Sequence, residues 1–157
     1  MILYHGTNMD FEAIDITRSN PYKDFGKGFY LTDIRKQAEE LAKKRSRIFG
    51  GKAQVLTYEF GENNFTNSTL NILTFERPTK EWADFIYQNR NRNISFKHNY
   101  DIVIGPIADD GVAYLLSRYE EGSFTLEQLA KELKYKKLNK QFYFGTQRAI
   151  DLLKRIL

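Results

Sequence analysis

The sequence predicts an α+β fold. Apolar runs of strand length and amphipathic helical stretches follow one another without the regular alternation of a doubly wound sheet. Hydrophobic residues make up 41% of the chain and aromatics 15%, enough apolar surface to offset the entropy of ordering 157 residues. No repeat, low-complexity run or Gly/Ser-rich linker interrupts the chain, so one domain spanning residues 1–157 is expected.

Each element has its own signal. Ile2 to His5 reads as a strand leaving through the turn-prone Gly6-Thr7-Asn8, and Lys27 to Thr32 as a second strand. From Asp33 the spacing predicts a helix whose inner face carries Ile34, Ala38, Leu41, Ala42, Arg45 and Ile48, stopped by Gly50-Gly51. Ala53 to Phe60 alternates as a strand, Gly61 to Asn64 has turn chemistry, and Asn71 to Phe75 is a further strand. Thr79 caps a helix running to Asn89 with Trp82, Phe85 and Ile86 inward, followed by polar loop to Asn93. Tyr100 to Ile107 is the clearest buried strand. Beyond Gly105-Pro106, Asp109 and Asp110 can cap a helix with Val112, Leu115, Leu116 and Tyr119 inside and Gly122 at its end. Thr125 to Gln128 forms a capping box before Leu126, Leu129 and Leu133 at helical spacing. Gln141 to Gly145 reads as the final strand, and Thr146 as the cap of a terminal helix striped by Ala149, Ile150, Leu153 and Ile156.

Composition narrows the chemistry. With no cysteine, disulfides, thiolate zinc sites and a Cys nucleophile are excluded, and no His/Asp/Glu cluster has metal-ligand spacing, so no metal is expected. The first residues lack a basic region followed by an apolar core, and no stretch approaches the roughly 20 apolar residues that cross a bilayer. The expectation is a cytoplasmic protein with no membrane partner. The net charge of +4 permits an acidic partner such as nucleic acid or an anionic cofactor without demanding one. The basic residues concentrate in Arg35 to Lys52 and Lys131 to Lys140, interleaved with Glu39, Glu40 and Glu132 as on solvated helix faces.

Only two histidines are present. His98, between Lys97 and Asn99, reads as a surface loop residue, whereas His5 closes an apolar strand beside Gly6, where a backbone without a Cβ lets a ligand approach. The segment Phe25-Gly26-Lys27-Gly28-Phe29-Tyr30-Leu31-Thr32 is not a dinucleotide fingerprint: G-x-G-x-x-G needs glycine at position 31, and these glycines precede a strand. Its strand displays Phe29 and Leu31 to one side and Tyr30 and Thr32 to the other, so an aromatic face and a hydroxyl share one surface. Taken singly, His5 and Tyr30 fit core positions and Gln141 an edge position; their order along the chain carries the signal.

Tyr4-His5-Gly6-Thr7, then Gly26-Lys27-Gly28-Phe29-Tyr30-Leu31-Thr32, then a helix with Ala38 and Ala42, resembles the NAD-binding half of ADP-ribosyltransferases of the diphtheria-toxin and poly-ADP-ribose-polymerase type. The chain is similar almost end to end to a bacterial domain-of-unknown-function family grouped with those enzymes. The later marks are Tyr100 to Asp110 and Gln141 to Ala149. The resemblance implies a split mixed β-sheet core flanked by helices and NAD as co-substrate. It implies that His5 bonds a ribose hydroxyl, Gly6 offers its backbone to the nicotinamide carboxamide, Tyr30 stacks on the nicotinamide ring and Thr32 adds a hydroxyl. It counts Thr7, Phe25 and Gly28 among the cofactor-binding residues. The third catalytic position, a glutamate in the best-studied enzymes, falls on Gln141.

Breaking the glycosidic bond builds positive charge on the ribose, which a carboxylate stabilises and a neutral amide can only hydrogen-bond. Chain building in the enzymes that the sequence resembles relies on that glutamate to activate a ribose hydroxyl, so the resemblance implies single transfers. Asp109 and Asp110, after a Gly-Pro turn, and Glu59, on a central strand, are further candidate acids. The leading expectation is an NAD-dependent mono-ADP-ribosyltransferase acting on protein or nucleic acid, a toxin of a toxin-antitoxin or phage-defence system with a small antitoxin protein as partner. An NAD glycohydrolase and a catalytically silent NAD-binding module are the alternatives.

Overall fold

The structure is a computed structural model that describes residues 1–67, 69–134 and 138–156. Part of the basic run Lys131 to Lys140, at positions 135–137, and the end of the expected terminal helix, at position 157, lie outside the described residues.

Among the described residues, seven strands form two sheets. β1 (Ile2–Thr7), β3 (Gln54–Glu59) and β7 (Lys154–Ile156) make an antiparallel sheet in the order β1-β3-β7. β2 (Phe29–Leu31), β6 (Lys140–Phe144), β5 (Ile102–Pro106) and β4 (Ile72–Thr74) make a second, mixed sheet in the order β2-β6-β5-β4, with only β4 and β5 parallel. One bridge joins the sheets, where Tyr4 and Thr32 exchange both backbone hydrogen bonds at 2.8 and 2.9 Å. The mixed α+β class expected from the element order is the one observed.

The period-2 alternation of the strands sorts side chains into two cores. Leu3, Phe29, Leu31, Ile102, Ile104, Phe142 and Phe144 meet Leu56 and Tyr58 in one. Val103 and Tyr143 point the other way, into a second core under α3 (Lys80–Arg90), α4 (Asp110–Glu120) and α5 (Leu126–Leu133). The capping signals explain these helices. Thr79 accepts from the Trp82 amide, Asp109 from the Val112 amide, and Thr125 and Gln128 form the reciprocal capping box.

The helix α1 (Arg35–Phe49) ends at Gly50, whose φ of 78° suits glycine. Only Ala38 and Ala42 of its expected inner face are buried; Leu41 and Ile48 are exposed. The reason lies at Gly6, where a Cβ would collide with the Ala38 carbonyl oxygen. Helix and strand approach so closely that only small residues fit between them, which turns the larger apolar side chains to the rim.

Two short helices, α2 (Asn64–Asn67) and α6 (Gln147–Ile150), complete the set. The expected terminal helix is corrected: α6 stops after one turn, and Lys154 to Ile156 pair as β7 with Thr57 to Glu59. Residues spaced three and four apart fit a helix, but the open edge of β3 offers backbone hydrogen bonds that an exposed final helix would forgo. Gln141 to Gly145 is accordingly not the last strand. No helix among the described residues is long and apolar enough to cross a membrane.

Candidate active site

Beyond the Tyr4 and Thr32 bridge the two sheets part. Tyr4 turns its N–H and C=O toward Thr32, so Gly6, two residues on in the same strand, turns its own the same way, into the split. By the same alternation Tyr30 directs its backbone groups toward β1, and its carbonyl accepts from His5 Nδ1 at 2.7 Å. A cleft of about 510 Å³ opens there. Its floor is Tyr4, Gly6, Tyr30 and Thr32, one wall is Gln37, Ala38, Glu40, Leu41 and Lys44 of α1, and the other is Ile107, Asp109, Leu138, Asn139 and Gln141. Its volume is in the usual range for a small-molecule site.

The cleft brings together Gly6, Tyr30, Thr32, Asp109 and Gln141 of the residues singled out in the sequence. Tyr30 is held by its hydroxyl, which donates to the Gly26 carbonyl at 2.6 Å and accepts from the Phe25 amide at 3.0 Å. Burial keeps that phenol protonated far above its ordinary range. The Lys23 ammonium lies 5.2 Å from the centre of the Tyr30 ring, and burial lowers its pKa. The Thr32 hydroxyl accepts from the Ile34 amide at 3.1 Å. Gln141 is buried and donates from Nε2 to Asp24 Oδ2 at 3.0 Å and to the Pro106 carbonyl at 3.4 Å.

Other candidates lie elsewhere. The His5 ring stacks on Phe29 at 4.3 Å between centroids, with Phe11 edge-on, and does not line the cleft. Thr7 is buried and its hydroxyl accepts from the Met9 amide. Phe25 is fully buried in the second core, and the Gly28 amide donates to Ser19 Oγ at 3.1 Å. Asp110 is an exposed first-turn residue of α4, and Glu59 is exposed at the end of β3. His98 is corrected from a surface residue to a half-buried one: Nε2 donates to the Phe25 carbonyl at 2.7 Å while Nδ1 accepts from the Tyr100 amide at 3.1 Å. Its polar sequence neighbours hid the ring contacts with Phe85 and Tyr143.

The structure also shows residues that the sequence reading missed. Gln37, Leu41 and Lys44 share a face of α1, a spacing visible in the sequence but without a reason to choose it. Gln37 Oε1 is buried without a hydrogen-bond partner among the described residues, an acceptor waiting at the cleft wall. Asp24 is the carboxylate behind Gln141, and no local pattern marks it. Among the described residues no group of three His, Asp or Glu side chains is placed to hold a metal ion.

His5 yields a pH prediction. Because a carbonyl only accepts, Nδ1 carries the proton, and burial lowers the pKa from 6.5 to about 4. Between those values the unfolded chain binds the extra proton and the native one does not. The stability this neutral imidazole contributes is therefore complete above pH 6.5 and is lost as pH falls toward 4. The shift corresponds to on the order of 3 kcal/mol. Urea midpoints at pH 7 and pH 4.5 are expected to diverge less in His5→Gln than in the parent; equal divergence in both would assign the acid sensitivity to other groups.

Two sheets bridged at Tyr4 and Thr32, with a cleft beside the bridge, make a small α+β domain. The chain belongs to the family described as protein of unknown function DUF3990, which it matches over residues 1–155. No curated protein and no solved structure matches it.

Proposed function

We propose that the chain is an NAD-dependent mono-ADP-ribosyltransferase whose cleft holds the nicotinamide riboside part of NAD, with a protein or nucleic acid as acceptor. The observation that carries this reading is the meeting of Gly6, Tyr30, Thr32 and Gln141 on one cleft at a split between sheets. The Gly6 N–H and C=O point into the split as a donor and acceptor pair, which suits a carboxamide. The Tyr30 ring already accepts the Lys23 ammonium, and the pyridinium of NAD is a flat cation that can take that place. The unpartnered Gln37 Oε1 suits a hydroxyl or amide donor of the substrate.

The reaction breaks the C1′–N bond of NAD, whose electron pair leaves with nicotinamide, and forms a bond from C1′ to an acceptor heteroatom, which gives its proton to water. The residues of this chain hold the ring, exclude water and oppose the positive charge that develops on the ribose. Gln141 in the acidic position supports single transfers, and a toxin countered by a small antitoxin protein fits such a chemistry. NAD labelled in its ADP-ribose part, incubated with the protein and a cell lysate, is expected to label a protein or nucleic-acid fraction and release nicotinamide. Release without labelled macromolecule would make the chain a glycohydrolase. Binding without release would leave a module that holds NAD.

A further inference from the structure

Asp24 lies in the loop before β2 yet reaches three other elements. Its Oδ2 accepts from Gln141 Nε2 at 3.0 Å and from the Ala108 amide at 3.4 Å, and its Oδ1 lies 3.5 Å from Arg90 Nε on α3. Its side chain is only 15% exposed. Gln141 Nε2 has a second acceptor in the Pro106 carbonyl at 3.4 Å. A carboxylate and a carbonyl can only accept, so the amide nitrogen must face them, and Oε1 is the atom left for the cleft that Gln141 lines.

We propose that Asp24 is a positioning residue that holds the Gln141 amide with its carbonyl oxygen toward the cleft and, through that bond, lends the oxygen negative charge. The inference rests on the reading of the cleft as an NAD site. The hydrogen bond to a carboxylate polarises the amide, since its N–H leans on a full charge and its oxygen becomes the negative end of the dipole. A neutral residue thereby does part of what a glutamate would do against a ribosyl cation, with the carboxylate one bond farther back. The charged groups near this pair are Arg90, the Lys23 ammonium next in the chain and Asp109 on the same cleft wall as Gln141.

The full-length protein and the variants Asp24→Asn, Gln141→Glu and Asp24→Asn/Gln141→Glu test this, with thermal melts to confirm folding. In Gln141→Glu an ionised carboxylate at position 141 would face the Asp24 carboxylate and the Pro106 carbonyl with nothing to donate, so its protonated form is favoured. Its pKa, read by carbon NMR, is expected well above the ordinary carboxylate range and lower by at least about one unit once Asp24→Asn supplies a donor. With NAD as probe, each single variant is expected to lower kcat for nicotinamide release by roughly tenfold with little change in KM, and the double variant to recover it. An unchanged titration at position 141 with and without Asp24→Asn would overturn the proposal, as would a double variant no faster than Gln141→Glu. A parent protein that releases no nicotinamide would sink the transferase and glycohydrolase readings, while the titration still decides whether Asp24 holds position 141.

Discussion

Asp101→Asn is expected to lower the unfolding free energy by about 2 kcal/mol, the scale of losing charge-assisted hydrogen bonds at a buried acceptor whose cationic partner is half-exposed. Asp101 is 1% exposed and accepts four hydrogen bonds. They come from the Asn71 amide at 2.7 Å, Thr146 Oγ1 at 2.5 Å, and Arg148 through Nε at 2.8 Å and Nη2 at 2.6 Å. The Arg148 guanidinium, first among these, holds the carboxyl far below its ordinary range. That depression makes the contribution complete above the ordinary carboxylate pKa and lost in strong acid, at lower pH than the His5 transition. The network ties the start of β5 to the segment before β4 and to the turn after β6. It therefore explains Asp101, Thr146 and Arg148 in the two later sequence marks as framework rather than chemistry. Urea denaturation of Asp101→Asn and Arg148→Met, with the double variant, checks this. Strong coupling between the two sites is expected, and additive losses below about 1 kcal/mol each would contradict it.

Tyr30→Ala is expected to reduce kcat/KM for nicotinamide release by at least about 100-fold, because it removes both the ring and the bonds that hold the loop beside it. The two losses can be separated. Tyr30→Phe keeps the ring but leaves the Phe25 amide and the Gly26 carbonyl without their shared hydroxyl, so it should cost about 1 to 2 kcal/mol of stability and less than about tenfold in rate. If Tyr30→Phe is as inactive as Tyr30→Ala, the hydroxyl that orders the loop carries the effect and the stacking role of the ring is rejected.

Local signals were legible where the physics is local. The caps at Thr79, Asp109 and Thr125 and the buried run Ile102 to Pro106 are where the sequence placed them, since each rests on residues within a few positions of one another. The final strand was hidden, because Lys154 to Ile156 pair with an edge almost a hundred residues away, roughly, and only that edge makes them extended. The inner face of α1 was over-read for a similar reason: contact with Gly6 decides which side chains fit. Of the ordered pattern His5, Tyr30 and Gln141, the last two line the cleft, while His5 packs on Phe29 and does not line it; Gly6 and Thr32 owed their roles to the resemblance. Asp24 was not legible, since it meets Gln141 across 117 positions and no motif joins them.

Titrating NAD into isotope-labelled protein tests most directly whether the split between β1 and β2 receives the nicotinamide riboside. The Gly6 and Tyr30 amide resonances, whose N–H groups face the split, are expected to shift and saturate together, while those of α5 stay in place. No shift at millimolar NAD, or shifts confined to the far side of the second core, would contradict that assignment.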